Sequence, residues 1–207
     1  SADPTSATIC VGGNNTFSST ASGTGIGYQW QVNTGSGFTD IPTATASSYT
    51  VTGATAGMNG NQYRVVVTGT CSPAATSAAA TLTVISPVVV ATQPAAATEI
   101  CSGSNTSLSV TGTSTQPITY QWQVNTGAGF NNVTTGNGIA GANSATLTFT
   151  NSTVAMTGTY RVQLSNTTCT APTTSASAVL TVRQLPTVGL TASLSSLLPG
   201  QTSLLTA

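Results

Sequence analysis

The sequence predicts an all-β protein made of two tandem copies of one sandwich domain, followed by a C-terminal strand extension. Three observations carry this expectation. Residues 28–41 (YQWQVNTGSGFTDI) return at 120–133 as YQWQVNTGAGFNNV, ten of fourteen identical at a shift of 92, and an internal repeat fixes the architecture before anything else. Hydrophobic residues alternate with Thr and Ser, as in Thr81-Leu82-Thr83-Val84 and Ala145-Thr146-Leu147-Thr148-Phe149. Such period-two patterning, bounded by Gly, Asn and Ser, is the strand signal, and no segment carries the 3.6-residue period of a helix.

The repeat extends outward from its centre. Cys10-Val11-Gly12 answers Cys101-Ser102-Gly103, and Met58-Asn59-Gly60-Asn61-Gln62-Tyr63-Arg64-Val65 answers Met156-Thr157-Gly158-Thr159-Tyr160-Arg161-Val162. Thr70-Cys71 answers Thr168-Cys169, and Ala80-Thr81-Leu82-Thr83-Val84 answers Ala178-Val179-Leu180-Thr181-Val182. The expected domains are 1–85 and 86–184, with 185–207 as an extension. Turn residues recur about every 8–12 positions. In the first copy they leave strands near 15–22, 27–33, 37–41, 48–52, 61–68 and 78–85. In the second copy the strands fall near 87–92, 97–100, 106–112, 118–125, 129–133, 144–150, 158–165 and 176–183. Gly35-Ser36-Gly37 and Gly127-Ala128-Gly129 are hairpin turns. They lack the following helix that a phosphate-binding loop needs.

Composition narrows the function. Of 207 residues three are basic, all Arg (Arg64, Arg161, Arg183), and three are acidic (Asp3, Asp40, Glu99); His and Lys are absent. An average soluble protein is about 25 % charged; here the figure is 3 %. Without His there is no Ser-His-Asp triad and no His-ligated zinc. Without Lys there is no Schiff-base nucleophile, and three scattered carboxylates make neither an acid/base pair nor a calcium cage. Zero net charge gives no electrostatic footprint for nucleic acid or an anionic membrane. The longest apolar run, Val88-Val89-Val90-Ala91, is far short of the ~20 residues of a membrane span. These absences point away from an enzyme, cofactor or metal and toward a structural or binding protein.

Trp30 and Trp122 each sit mid-strand about twenty residues after a Cys, and Tyr63 and Tyr160 open a Tyr-Arg-Val strand after a Gly. The arrangement resembles the immunoglobulin fold, with its buried strand-C tryptophan and strand-F tyrosine corner. It is most similar to bacterial Ig-like repeats of long surface proteins, of the kind found in Bacteroidetes-type adhesins. The shared marks are Cys-x-Gly before strand B, Tyr-Gln-Trp-Gln on strand C, Met-x-Gly…Tyr-Arg-Val on strand F and Leu-Thr-Val closing strand G. The resemblance covers residues 4–183. It implies an extracellular location and core roles for Trp30, Tyr63, Trp122 and Tyr160. It says nothing about a ligand, because one sandwich hosts many functions.

Four cysteines in a secreted, non-enzymatic chain imply disulfides. The position that holds the antibody domain's second Cys carries Val65 or Val162 here. Cys71 and Cys169 instead fall in the F–G region, while Cys10 and Cys101 precede strand B at the A–B turn. Those places lie at opposite ends of a sandwich, and pairing needs Cα atoms within about 7 Å. Two arrangements stay open: Cys10–Cys71 with Cys101–Cys169 inside the copies, or Cys10–Cys169 stapling two stacked domains with Cys71 and Cys101 left at the outer ends. The Lys–Asn isopeptide crosslinks of other bacterial surface Ig-like domains are excluded, since Lys is absent.

The copies differ at their starts. The second opens with Pro87-Val88-Val89-Val90-Ala91-Thr92-Gln93-Pro94, whereas the first has only Ser1-Ala2-Asp3-Pro4, so it is one edge strand short unless upstream residues supply it. Beyond Gln184 there is a surplus: Val188, Leu190, Ala192 and Leu194 alternate with Gly and polar residues, like the opening of a third domain. A deficit at one end and an apolar strand at the other suggest head-to-tail assembly by strand addition, open-ended if it does not close into a ring. The expected function is therefore the protomer of an extracellular bacterial surface filament whose partners are other copies of itself. A stalk segment of a giant adhesin, or a module binding surface glycans or cell-surface ligands through Phe38, Phe130 or Tyr49, are the alternatives.

The surface is rich in Ser and Thr (together roughly a third of the chain) and poor in the charge that normally confers solubility. Burial in an assembly or a sugar coat would explain it. Asn14, Asn105, Asn132, Asn151 and Asn166 lie in Asn-x-Ser/Thr triplets and are candidate glycan acceptors. Arg64 and Arg161, next to the two tyrosines, are expected on a solvated sheet face. Asp40 is answered by Asn132, which argues against a salt bridge common to both copies.

Overall fold

A computed structural model describes residues 2–189, 191–192 and 205–206. The chain forms two immunoglobulin-like β-sandwiches in tandem. The first contains β1 (Ala7–Cys10), β2 (Asn15–Ser18), β3 (Gly27–Asn33), β4 (Phe38–Asp40), β5 (Ser48–Val51), β6 (Gln62–Thr68), β7 (Ala75–Thr76) and β8 (Ala80–Ile85). One sheet runs β1-β8-β6-β3-β4, with β7 on β6, and β2 pairs with β5 opposite it. The second domain contains β9 (Val89–Thr92), β10 (Ala97–Cys101), β11 (Thr106–Ser109), β12 (Thr111–Thr113), β13 (Ile118–Asn125), β14 (Phe130–Asn132), β15 (Ile139–Ala140), β16 (Thr146–Phe149), β17 (Gly158–Asn166), β18 (Thr173–Thr174) and β19 (Ala178–Arg183). Its main sheet, β10-β19-β17-β13-β14, repeats the first; the facing strands are β11-β16-β15, and β9 pairs with β12. A two-residue ribbon, β20 (Thr191–Ala192) with β21 (Leu205–Thr206), follows. The only helical elements among the described residues are two single 3₁₀ turns, Ala56–Met58 and Val154–Met156.

Alternation builds each core. Along β17 the inward positions Tyr160, Val162 and Leu164 are buried, and Leu180 and Val182 of β19 meet them. Trp30 and Trp122 are fully buried, and each indole Nε1 donates to a carbonyl across the sandwich, Ala46 at 3.0 Å and Ser144 at 2.9 Å. Such a bond removes the penalty of burying the ring N–H. Tyr63 stacks on Phe17 at 4.8 Å, and the Tyr160 hydroxyl donates to the Met156 carbonyl at 2.8 Å, closing the corner before β17.

Several local features differ from the sequence-based expectation. The strand Ala7–Cys10 is added to the first copy: it is an edge strand held parallel to β8, and four residues are too few to show a period. The expected 106–112 strand divides at Val110 into β11 and β12, which pair with different partners. Arg64 and Arg161 are not simply solvated. Each guanidinium lies over a ring, Phe38 at 3.9 Å and Phe130 at 3.8 Å, while its Nε donates to Gln31 or Gln123. This cation–π contact covers two of the three aromatics considered for ligand binding. The third, Tyr49, packs against the rings of Trp30 and Tyr63.

Burial pushes the Tyr160 hydroxyl up from 10.0 to about 12. The native state then keeps a proton that the unfolded chain has lost, so this contribution is complete below pH 10 and disappears as pH rises toward 12. The second domain is expected to lose stability across that window, and Tyr160→Phe to flatten the dependence at a cost of about 1 kcal/mol near neutrality. Denaturant titrations from pH 8 to 12 check this: an unchanged slope in the variant contradicts it.

Candidate functional site

The functional candidate is the junction between the domains, together with the place on the first domain that corresponds to it. After β8 the chain passes through Ser86, Pro87 and Val88 into β9, which adds antiparallel to β12 with Thr92 opposite Thr111 and Val90 opposite Gly112. Val88 is 2 % exposed. A Cβ on Gly112 would stand 2.7 Å from Leu164, 3.1 Å from Ile118 and 3.1 Å from Val88, so the missing side chain is what lets the strand sit down on the core. Polar groups fix the entering backbone. Thr173 donates to the Val88 carbonyl at 2.7 Å, and Asn166 Nδ2 donates to the Ser86 carbonyl at 3.1 Å and to Ser114 Oγ at 3.2 Å.

Asn166 also receives the backbone N–H groups of Thr168 and Cys169, at 3.2 and 2.6 Å, and so shapes the β17–β18 loop. That loop presents Cys169 to Cys10, and the two form a disulfide with Cα atoms 5.1 Å apart. Cys10 ends β1 at the junction end of the first domain, opposite Ile85, whose carbonyl lies 3.3 Å from the Cys169 sulfur. Of the two pairings the sequence left open, the structure has the one between domains. Cys71 and Cys101 are unpaired and exposed.

Among the described residues, the far end of the first domain repeats this arrangement. Thr20 exchanges backbone hydrogen bonds with Ala2 (2.9 and 3.2 Å), as Thr111 pairs with Thr92. Where Val88 to Ala91 run in the second domain, the first has a groove of 450 Å³. Ala21, Ile26 and Val67 line it, in the places of Gly112, Ile118 and Leu164, and Ala75 stands for Thr173. Leu164 is fully buried whereas its counterpart Val67 is half-buried, the difference that a covering Val88 makes. Cys71 and Pro73 are on the rim.

The other sequence candidates fall as follows. In the extension, Leu185 and Val188 are exposed, the latter at 72 %; Ala192 lies in β20, and Leu190 and Leu194 are outside the described residues. Asn166 is corrected as a glycan acceptor: it is 2 % exposed, and its amide nitrogen is committed to Ser86 and Ser114. Asn14, Asn105, Asn132 and Asn151 are exposed, although the side-chain oxygens of Asn14, Asn105 and Asn132 accept hydrogen bonds from Gly53, Asn151 and Gln123. Arg183 pairs with Glu99 on the surface, which holds that carboxyl below its ordinary range. Among the described residues no group of His, Cys, Asp or Glu could hold a metal, and no helix is long and apolar enough to cross a membrane. The groove could not be seen in the sequence as a cavity.

A family model matches the chain twice, over residues 3–86 and 90–184. The chain belongs to the family described as domain of unknown function DUF8696. No curated protein matches it. Among solved structures it is similar to an I-band fragment of titin (18 % identity, TM-score 0.62, covering 87 % of this chain and 64 % of that one). It is also similar to extracellular domains 3–5 of Drosophila OTK (15 %, 0.58, 87 % and 60 %) and to immunoglobulin domains 1–4 of Sidekick-1 (16 %, 0.58, 88 % and 48 %). This chain thus spans less than two thirds of each, and at such identities the likeness is one of fold: tandem immunoglobulin-like sandwiches.

Proposed function

We propose that this DUF8696 protein is a structural, non-enzymatic protomer of an extracellular bacterial surface filament, built head to tail by strand addition. The observation that carries the reading is the groove of the first domain, whose lining residues stand at the positions that surround β9 in the second. The proposed occupant is the extension of another copy. Leu185-Pro186-Thr187-Val188 leaves β19 as Ser86-Pro87-Val88 leaves β8, with apolar side chains exposed. An extended segment entering the groove would continue the Ala2 ladder beside Thr20, gaining main-chain hydrogen bonds and burying a valine, worth about 1.5–3 kcal/mol for that side chain. A slot on one copy would take the strand of the next, so the contact is heterologous and propagates.

The test is deletion of residues 186–207. The truncated chain is expected to stay monomeric with both domains folded, while the 207-residue chain forms filaments at high concentration, followed by light scattering and negative-stain microscopy. Filaments from the truncated chain would overturn the reading. A stalk segment in a longer adhesin would use the same groove within one polypeptide.

A further inference from the structure

Two exposed thiols stand at opposite ends of the molecule, and the molecule itself contains the bond they are placed to make. Cys101 occupies the position of Cys10. Each ends an edge strand parallel to the last strand of its domain, Cys10 opposite Ile85 and Cys101 opposite Arg183. Each is followed by the same turn: the amides of Val11 and Ser102 donate to the carbonyls of Ile85 and Arg183, and those of Gly12 and Gly103 to Ala54 and Ser152. Both glycines adopt positive φ, 83° and 88°. Cys71 occupies the position of Cys169: each lies in the loop between the long central strand and the short strand that returns on it, four residues before the latter begins. Cys71 is also on the rim of the groove, beside the slot where an entering strand would bring a neighbouring domain.

Resting on the strand-addition reading, we infer that Cys101 of one copy and Cys71 of the next form an intermolecular disulfide that repeats Cys10–Cys169 at every junction of the filament. A small-molecule disulfide such as oxidised glutathione supplies the chemistry. The Cys71 thiolate attacks it, giving a mixed disulfide and one glutathione thiolate. The Cys101 thiolate then attacks the Cys71 sulfur and displaces the second. Two protein thiols are oxidised, two glutathione thiols are produced, and one new S–S bond joins the copies. Strand addition selects the partner and the disulfide makes the contact permanent, in a chain with no Lys for an isopeptide clamp.

The test mixes two single variants of the 207-residue chain, Cys71→Ser and Cys101→Ser, in a glutathione redox buffer. The mixture is expected to give a covalent dimer on non-reducing gels, joined by a Cys71–Cys101 peptide in mass spectrometry. Each variant alone should lose that band, and the unmodified chain should give a reducible ladder. Only Cys71–Cys71 or Cys101–Cys101 pairs, or glutathione adducts without the crossed peptide, would overturn the inference. The double variant Cys71→Ser/Cys101→Ser separates the two proposals. Filaments that form from it, alongside a mixture lacking the crossed peptide, leave strand addition standing and sink the disulfide. A crossed peptide that persists after deletion of 186–207 does the reverse.

Discussion

Replacing Trp122 with Ala is expected to destabilise the second domain by about 3–5 kcal/mol while leaving the first folded. The ring is fully buried, so truncation leaves a cavity among Leu108, Val162 and the other residues of that core, and the Ser144 carbonyl loses the indole N–H. A domain with only about 5–15 kcal/mol of total stability has little left after such a loss. At about 4–8 °C per kcal/mol for a domain of this size, the corresponding shift in Tm is about 12–40 °C. The chain has two tryptophans, one per core, so the variant carries its own control. Trp30 fluorescence then follows the first domain alone and is expected to melt near its original temperature, whereas calorimetry shows the other transition displaced. A joint collapse of both transitions would mean that the two cores are not separate.

The second large effect is expected from Cys10→Ser/Cys169→Ser. The disulfide bridges 159 residues, and the loop-entropy estimate for closing a loop of that length is about 5 kcal/mol. Neither sulfur is part of a domain core cluster, so each sandwich is expected to form without the bond. Both thermal transitions are expected to fall, and the backbone amide of Cys169, bonded to Asn166, to exchange faster with solvent. Calorimetry and hydrogen exchange on the variant check both. Unchanged transitions and unchanged protection at Cys169 would mean that Asn166 and the β9 ladder alone hold the junction.

Much of this architecture can be read before any coordinates. The repeat is explicit in Tyr-Gln-Trp-Gln, and alternation in Tyr160, Val162 and Leu164 follows directly from the two-residue period of a strand. Other features cannot be read. The strand Ala7–Cys10 is defined by its parallel neighbour rather than by its own pattern. The place of Arg64 over Phe38 depends on which strands adjoin, and Asn166 looks like any other Asn-x-Thr site until the loop closes around it. The cysteine pairing needed the relative placement of two domains, which spacing along the chain does not encode. The groove of the first domain, and Cys71 on its rim, are three-dimensional facts that no pattern along the chain displays.

What fills that groove when copies meet decides whether they join by strand addition. Electron cryomicroscopy of assembled material is the most direct measurement. Density is expected for residues 186–189 of one copy lying antiparallel to the backbone beyond Thr20 of the next, with Val188 over Ile26 and Val67. A groove left open at the interface, or filled by the same copy's own extension, would contradict it.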